Sequence, residues 1–365
     1  MMKTKNKDGS DVRKGQIDVL LSKENFTKNF LTQFFDPTFQ SVKRELDKVI
    51  EVAWNNYKDY RKSPLKKKAG PNYSKPSFEL PIEWLETSRA LKLAEKKQKN
   101  LKSKSRILII CASSRNDQTC PGEMSKTFRL AKIAQRNILK NSHFEVDFLD
   151  LSRLTAEYGK KIFPCKSCVS TSMPLCNWPC SCYPNHAVGQ TGDWMAEIYQ
   201  QWVLAHGVMI VTPVNWYQAP SVLKLMIDRL VCADGGNSDP TLTSGKNPEK
   251  AKALELKGWD YPKHLAGRAF SVIVHGDSAG VENLRRIIVD WLTDMGLIQA
   301  GKSSILNHYI GYFKSYATSH QDLDDDKDFQ RDVQIAASSL VKAVQLIRKN
   351  KWPIPDKNMT SDLQK

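Results

Sequence analysis

Between residues 106 and 310 the chain alternates short, wholly apolar runs with longer stretches in which apolar residues recur every three or four positions. The first run, Arg106-Ile-Leu-Ile-Ile-Cys-Ala112, lacks the in–out alternation of a half-exposed strand. It predicts a parallel strand covered on both faces. Phe144–Leu149, Val208–Pro213 and Ala269–His275 predict a second, third and fourth strand, and residues near Ser304–Tyr309 a fifth. Helical spacing predicts helices between them, over about 122–140, 194–205, 221–231 and 282–295. A closing helix is predicted over about 328–349, with Val333, Ala337, Leu340, Val344 and Ile347 in one stripe. Five strands alternating with five helices imply an α/β fold, a doubly wound five-stranded parallel sheet.

Upstream the pattern changes. Residues 1–22 predict little regular structure. Asp36-Pro37 supplies a capping carboxylate and then proline at the first helical position. Phe39, Val42, Leu46, Val49, Ala53 and Tyr57 follow at helical spacing and predict an amphipathic helix to about Arg61. Ser63–Leu80 contains Pro64, Pro71, Pro76 and the run Lys66-Lys67-Lys68, and reads as a linker. A second helix is predicted from Pro81 to near Lys99. The chain therefore divides into a basic helical N-terminal extension with its linker (1–105), an α/β domain (106–350) and a polar C-terminal tail (351–365).

Charge sharpens that division. The formal net charge is +16, and residues 1–105 hold 24 Lys and Arg against 13 Asp and Glu, whereas the other 260 residues hold 31 against 26. Nucleic acid, an anionic membrane surface or an acidic partner would answer such an excess; so would a solvated helical face with Lys-rich linkers. No zinc-finger or RNA-recognition signature accompanies it, which disfavours nucleic acid as a partner. No apolar stretch approaches the roughly 18 residues that span a bilayer, so no transmembrane segment is expected. The polar start Met1-Met2-Lys3-Thr4 carries no signal-peptide core. A cytoplasmic location is expected, where clustered thiols favour metal or redox chemistry over structural disulfides.

Ligands of such sheets sit beyond the carboxyl ends of the strands, where the strand order reverses. After the first strand come Ser113-Ser114-Arg115-Asn116 and, near a helix start, Ser125-Lys126-Thr127. Hydroxyls, a guanidinium and helix N-terminal amides make a phosphate site, although Ser and Thr also cap helices with no ligand present. After the third strand, Thr212-Pro213-Val214-Asn215-Trp216-Tyr217-Gln218-Ala219-Pro220 puts two aromatics and an amide in a loop bracketed by prolines. Such rings can flank an isoalloxazine while Asn215 and backbone N–H groups bond its heteroatoms. After the fourth strand, His275-Gly276-Asp277-Ser278-Ala279-Gly280 carries two glycines that permit close backbone approach to a planar ligand. His275 reads equally as a hydrogen-bonded strand-end residue and as a flavin contact.

Residues 106–233, and more loosely to about 310, resemble the NADPH-dependent FMN reductase group of flavodoxin-like proteins, nearest to its iron–sulfur flavoprotein branch. The stretch Ile198 to Tyr217 is similar to that family's third-strand block, in which a helix ending Ala-Asp-Gly feeds an apolar strand closed by Ser/Thr-Pro-Val-Tyr. Leu225-Met-Ile-Asp-Arg229 is similar to the Phe-Ile-Asp-Arg element of the next helix. The resemblance implies a flavodoxin-like strand order 2-1-3-4-5 and noncovalent FMN. Its phosphate would lie at Ser113, Arg115, Ser125 and Thr127, and its ring against Pro213, Val214, Asn215, Trp216 and Tyr217 and the loop of His275, Gly276, Asp277 and Gly280. It also implies a dimer or tetramer. The chain departs from the family in an insertion, Asp117 to Gly122, in the phosphate loop.

Five of the eight cysteines, Cys165, Cys168, Cys176, Cys180 and Cys182, lie within 18 residues. Four thiolates this close can converge on a [4Fe–4S] cluster or a tetrahedral zinc. A metal-free set would leave small buried hydrophobes with one redox-active pair. The gaps differ from the tighter pairing of the iron–sulfur flavoproteins, although the run lies in the same place, after strand two. The expected function is an FMN-dependent NAD(P)H oxidoreductase passing electrons to a small acceptor such as a quinone or free flavin, with an iron–sulfur cluster as a further expected element. The alternative is a flavin-binding electron carrier or interaction module that docks an acidic partner through its basic N-terminal helices. No side chain stands out as an obligatory acid or base; His275 and Tyr217 are candidates to steady charge on reduced flavin.

Overall fold

The computed structural model describes residues 15–17 and 19–353. The expectations for residues 1–14 and for the tail from 354 onward lie outside the described residues. By contacts the chain falls into two units, and neither is the linear division at residue 105. The first comprises the chain up to Ser88 together with Phe163–Asp193 and Gly235–Pro262; the second comprises Arg89–Ile162, Trp194–Asp234 and the chain from Lys263 onward.

The second unit is built on a parallel sheet of six strands: β1 (Ser105–Cys111), β2 (Phe144–Asp150), β3 (Gly207–Pro213), β4 (Ala269–Gly276), β5 (Ile298–Gln299) and β6 (Ile305–Tyr309). The order is β2-β1-β3-β4, the flavodoxin-like arrangement expected from the sequence. The single fifth strand is replaced by two short ones that share the edge of β4. Ile298 and Gln299 pair with Ala269 and Phe270, while Ile305–Tyr309 pair with Val272–Gly276. Gly301, at φ 96°, turns the chain between them.

Five helices cover the sheet: α1 (Lys126–Ile138), α2 (Met195–Leu204), α3 (Ser221–Arg229), α4 (Val281–Asp294) and α5 (Lys327–Arg348). The first is fixed by Ser125, whose hydroxyl accepts the Phe128 N–H at 3.1 Å, and the last by Asp326, which accepts from Phe329 N–H at 2.9 Å. Alternation across the strands divides the core. Ile107, Ile109 and Cys111 of β1 cluster with Leu130 and Ala134 of α1 and Val333, Ala337 and Leu340 of α5. Leu108 and Ile110, equally buried, face the other side. Trp202 of α2 meets Trp291 of α4 edge-on, ring centroids 6.1 Å apart.

Two buried side chains, Arg268 and His206, close the amino ends of β1, β3 and β4. Arg268 donates to the last carbonyls of α2, Nε to Trp202 O at 2.9 Å and Nη2 to Val203 O at 2.8 Å, satisfying acceptors that a helix end otherwise leaves open. His206 takes the Arg106 N–H on Nδ1 at 3.0 Å and faces Gln98 O through Nε2 at 2.9 Å. Burial lowers its pKa to about 4. That geometry requires a neutral ring.

In the first unit, Lys23–Leu31, a helix not predicted from the sequence, packs on Lys43–Lys58 through Phe26, Trp54 and Tyr57, whose rings lie 4.9–5.8 Å apart. Asp36 caps as expected, but Pro37–Val42 is a 3-10 turn rather than the start of the longer helix. Within the expected linker, Lys66–Lys68 pairs antiparallel with Glu79–Pro81. The cysteine segment is stitched to the Gly235–Pro262 segment: Trp178 N–H donates to Asn237 O at 2.8 Å and Asn237 N–H to Cys176 O at 2.7 Å. Trp84 Nε1 donates to Pro179 O at 2.9 Å. These long-range bonds, rather than chain order, make the unit discontinuous. Among the described residues no helix is long and apolar enough to cross a membrane.

Candidate active site

The carboxyl ends of β3, β4 and β6 open into a cleft of about 580 Å³, within the size range of small-molecule sites. Three loops and one helix end line it. The β3 loop gives Pro213, Val214, Asn215, Trp216 and Tyr217; the β4 loop gives His275, Gly276, Asp277, Ser278 and Ala279; the loop after β6 gives Phe313 and Tyr316; and α1 gives Lys126.

The β3 loop is a tight reversal. Asn215 and Gln218 exchange both backbone hydrogen bonds at 2.9 Å, with Trp216 and Tyr217 between them at φ 48° and 64°. Positive φ at both central residues is what a type I′ turn demands, and Asn-Gly is the sequence that suits it. Two large aromatics there are strained, and Trp216 is 94% exposed. Phe313, across the cleft, is also left-handed, at φ 52°. Strain kept at three aromatics around one cavity points to use by a ligand. Replacing Trp216-Tyr217 by Asn-Gly is expected to stabilise the protein by about 1 kcal/mol or more while lowering turnover. Thermal melts and activity together check this; a variant that gains stability and keeps full activity would remove the aromatics from the site.

Gly276 and Gly280 bring the β4 loop close. A Cβ on Gly276 would fall 2.5 Å from Val214 Cγ1, and one on Gly280, itself at φ 115°, would fall 3.1 Å from Tyr217 Cα. Both positions are thus closed to larger residues. His275 is 3% exposed, with Nε2 2.8 Å from Thr127 Oγ1. Its Nδ1 is buried with no hydrogen-bond partner. Burial first, then the charges of Lys126 and His308, lowers its pKa to about 3. The reading of His275 as a hydrogen-bonded strand-end residue thus has its counterpart in the Thr127 contact.

A histidine held neutral in the folded state but free to protonate when unfolded makes stability fall as pH drops below its ordinary value near 6.5, until the folded pKa is reached. His275 and His206 share this sign. Denaturant midpoints should therefore decline from about pH 6.5 to 4.5, by at most ~1.4 kcal/mol per pH unit for each group. A flat profile across that range would contradict the buried neutral rings.

The four residues expected at a phosphate are placed differently. Ser113 accepts the Arg115 N–H at 3.1 Å, Ser125 caps α1, and Thr127 is turned to His275. Arg115 pairs with Glu123, Nη2 to Oε2 at 2.9 Å. None of the four lines the cleft. Lys126, between two of them, does. Burial lowers its pKa even though Asp277, Asp322 and Glu123 oppose the shift. The sequence reading missed Lys126, Phe313 and Tyr316. The last two follow the fifth predicted strand, so the rule that used the loops after strands three and four covers them equally.

An isoalloxazine fits what is present: an orphaned buried ring nitrogen, a glycine cradle and exposed aromatic faces. The metal expectation finds no such support. All eight cysteines are thiols, and among the described residues no group of three or more His, Cys, Asp or Glu side chains is placed to hold a metal ion. Cys168, Cys176, Cys180 and Cys182 do converge, but the cation touching them is Lys246, with Nζ 3.0 Å from Cys182 Sγ and 3.5 Å from Cys168 Sγ. Cys165 instead accepts the Ser167 N–H at 3.4 Å.

Comparison with known families matches residues 105–305 to the model of NADPH-dependent FMN reductase. Among solved structures, RosB with bound 8-demethyl-8-formylriboflavin-5'-phosphate is 11% identical, over 68% of this chain and 82% of that one, with a TM-score of 0.46. The apo form of the NADH:FMN oxidoreductase EMOB is 17% identical over 69% and 92%, with a TM-score of 0.33. An FMN-dependent NADH-azoreductase from Bacillus anthracis str. Ames Ancestor in complex with FMN is 16% identical over 65% and 100%, with a TM-score of 0.37. A search of curated proteins finds no match.

Proposed function

Because this chain belongs to the NADPH-dependent FMN reductase family, we propose that it uses FMN in the cleft of β3, β4 and β6 to carry electrons from NAD(P)H to a small acceptor such as a quinone or a free flavin. The observation that carries this reading is a cleft at the strand ends, lined by His275 and Gly276 and rimmed by strained, exposed aromatics. FMN, when bound, supplies hydride acceptance and onward electron transfer, and the protein supplies position and electrostatics. Pro213 to Tyr217 and the His275–Gly280 loop would hold the ring, with His275 Nδ1 bonding one of its polar edge atoms. The low pKa of His275 keeps this nitrogen from acting as a fixed cation near neutral pH. Trp216, Tyr217 and Phe313 would shield the ring face from water while leaving room for nicotinamide.

We assign the phosphate to the amino end of α1, where backbone N–H groups and the helix dipole favour an anion. Lys126 is its main cation. Ser113, Ser125 and Thr127 shape this end from within, and Arg115 joins only by giving up Glu123. Titrating the full chain with FMN and with riboflavin separates the roles: Lys126→Met should weaken FMN about tenfold, or ~1.4 kcal/mol, and leave riboflavin nearly unchanged. Equal loss of both ligands would move the phosphate elsewhere. Steady NADPH oxidation with a soluble quinone or free flavin tests the activity, and an FMN-loaded protein that never oxidises NADPH or NADH would overturn it.

A further inference from the structure

The thiols of the first unit have no part in the flavin reading, and their arrangement has a chemistry of its own. Cys182 is hydrogen-bonded to Cys168 and Cys180, and Cys168 also to Cys176. Lys246 Nζ touches Cys182 and Cys168. Lys62, whose ammonium donates to Ser181 O, is close enough to act on Cys182, Cys180, Lys246 and Lys166. Sulfurs in contact are what a disulfide needs once two electrons are removed, and an adjacent ammonium is what keeps one of them a thiolate.

We propose that Cys182 and Cys168 form a dithiol–disulfide redox pair, held by Lys246, whose two-electron oxidant is a hydroperoxide. The Cys182 thiolate attacks the outer oxygen of the peroxide. An S–O bond forms, the O–O bond breaks, and the leaving alkoxide or hydroxide takes up a proton. Cys182, now a sulfenic acid, is then attacked by Cys168. The S–S bond forms, the S–O bond breaks, and water leaves with the Cys168 proton. Two thiols and one hydroperoxide give one disulfide, one alcohol and one water; for hydrogen peroxide, two waters.

The electrostatics divide the roles. Hydrogen bonds from Cys168 and Cys180, and then the charge of Lys246, hold Cys182 far below the ordinary thiol range against its burial. Lys246 Nζ lies 3.0 Å from Cys182 Sγ and 3.5 Å from Cys168 Sγ, so the thiolate belongs on Cys182 and Cys168 is the resolving thiol. Burial acts to lower the Lys246 ammonium, but charge on Cys182, Cys168 and Cys180 outweighs it. Cys182 is 6% exposed beside the partly exposed Cys168 and Cys180, which suits an oxidant little larger than water.

The test treats the full-length protein with hydrogen peroxide, alkylates it and maps a digest without reduction. A Cys168–Cys182 linked peptide should dominate, with a formation rate nearly flat between about pH 6 and 8. Lys246→Met should slow it about tenfold and restore a rise with pH, while Lys246→Arg keeps the wild-type profile. Cys168→Ser should leave a sulfenic acid on Cys182 that dimedone traps; this variant carries the test if Lys246→Met fails to fold. Oxidation of the exposed Cys120 as fast as Cys182 would overturn the proposal. So would stoichiometric iron or zinc in the protein as isolated, with the four thiols shielded.

Discussion

Gly276→Val is expected to abolish FMN binding while the protein remains folded. Gly276 ends β4, a strand buried along its whole length, at the floor of the cleft. Its added Cβ alone would lie 2.5 Å from Val214 Cγ1, 2.9 Å from Val281 Cγ1 and 3.3 Å from Ser278 O. Val281 is buried at the start of α4 and the Ser278 contact is a backbone oxygen, so the movable neighbour is Val214, which lines the cleft. Overpacking of this kind costs about 1–3 kcal/mol, which a domain of ordinary stability survives. Gly207→Ala is the control. Its Cβ would lie 2.7 Å from Val344 Cγ2 and 3.1 Å from Leu340 Cδ1, at the opposite end of β3. It should lose a similar amount of stability and still bind FMN. Fluorescence titration with FMN beside urea unfolding reads both, and equal FMN affinity in the two variants would remove the flavin from this cleft.

Trp202→Ala is expected to have the largest effect on stability, about 3–5 kcal/mol. The side chain is wholly buried and meets Trp291 edge-on, so truncation opens a cavity between α2 and α4. The same residue's carbonyl receives Arg268, so collapse of α2 into the cavity would pull on a buried charge. Trp202→Phe separates volume from shape. It keeps an aromatic ring and discards an indole N–H that is buried without a partner, so its cost should stay below about 1.5 kcal/mol. Denaturant midpoints at constant slope check both. A loss under about 1 kcal/mol for Trp202→Ala would mean that this contact is not part of a tight core.

The sheet was legible because its chemistry is local. Ile107 to Ile110 and Val208 to Val211 are unbroken apolar runs, and only burial on both faces explains such runs in a charged chain. The cleft was partly legible for the same reason: topology places loops, and Trp216 and Tyr217 stood between prolines. What escaped depends on partners distant in sequence. Thr127 looked like a phosphate ligand because its partner His275 lies 148 residues away. Lys246 gave no signal because the thiols it touches lie 64 and 78 residues earlier. Lys66–Lys68 forms a strand whose exposed side chains show no apolar pattern; pairing with Glu79–Pro81 defines it. Cysteine spacing pointed to a shared metal, and spacing could not reveal that Lys246 lies against Cys168 and Cys182.

The proposed seat of FMN is the cleft at the ends of β3 and β4, where nicotinamide can reduce it. Its most direct test is anaerobic addition of NADPH to FMN-loaded protein while the long-wavelength flavin absorbance is followed. One equivalent should bleach the bound flavin in the wild type, and Gly276→Val should show no bound flavin to bleach. Wild-type protein whose bound flavin NADPH and NADH leave oxidised would contradict the account, as would a Gly276→Val variant that binds and bleaches like the wild type.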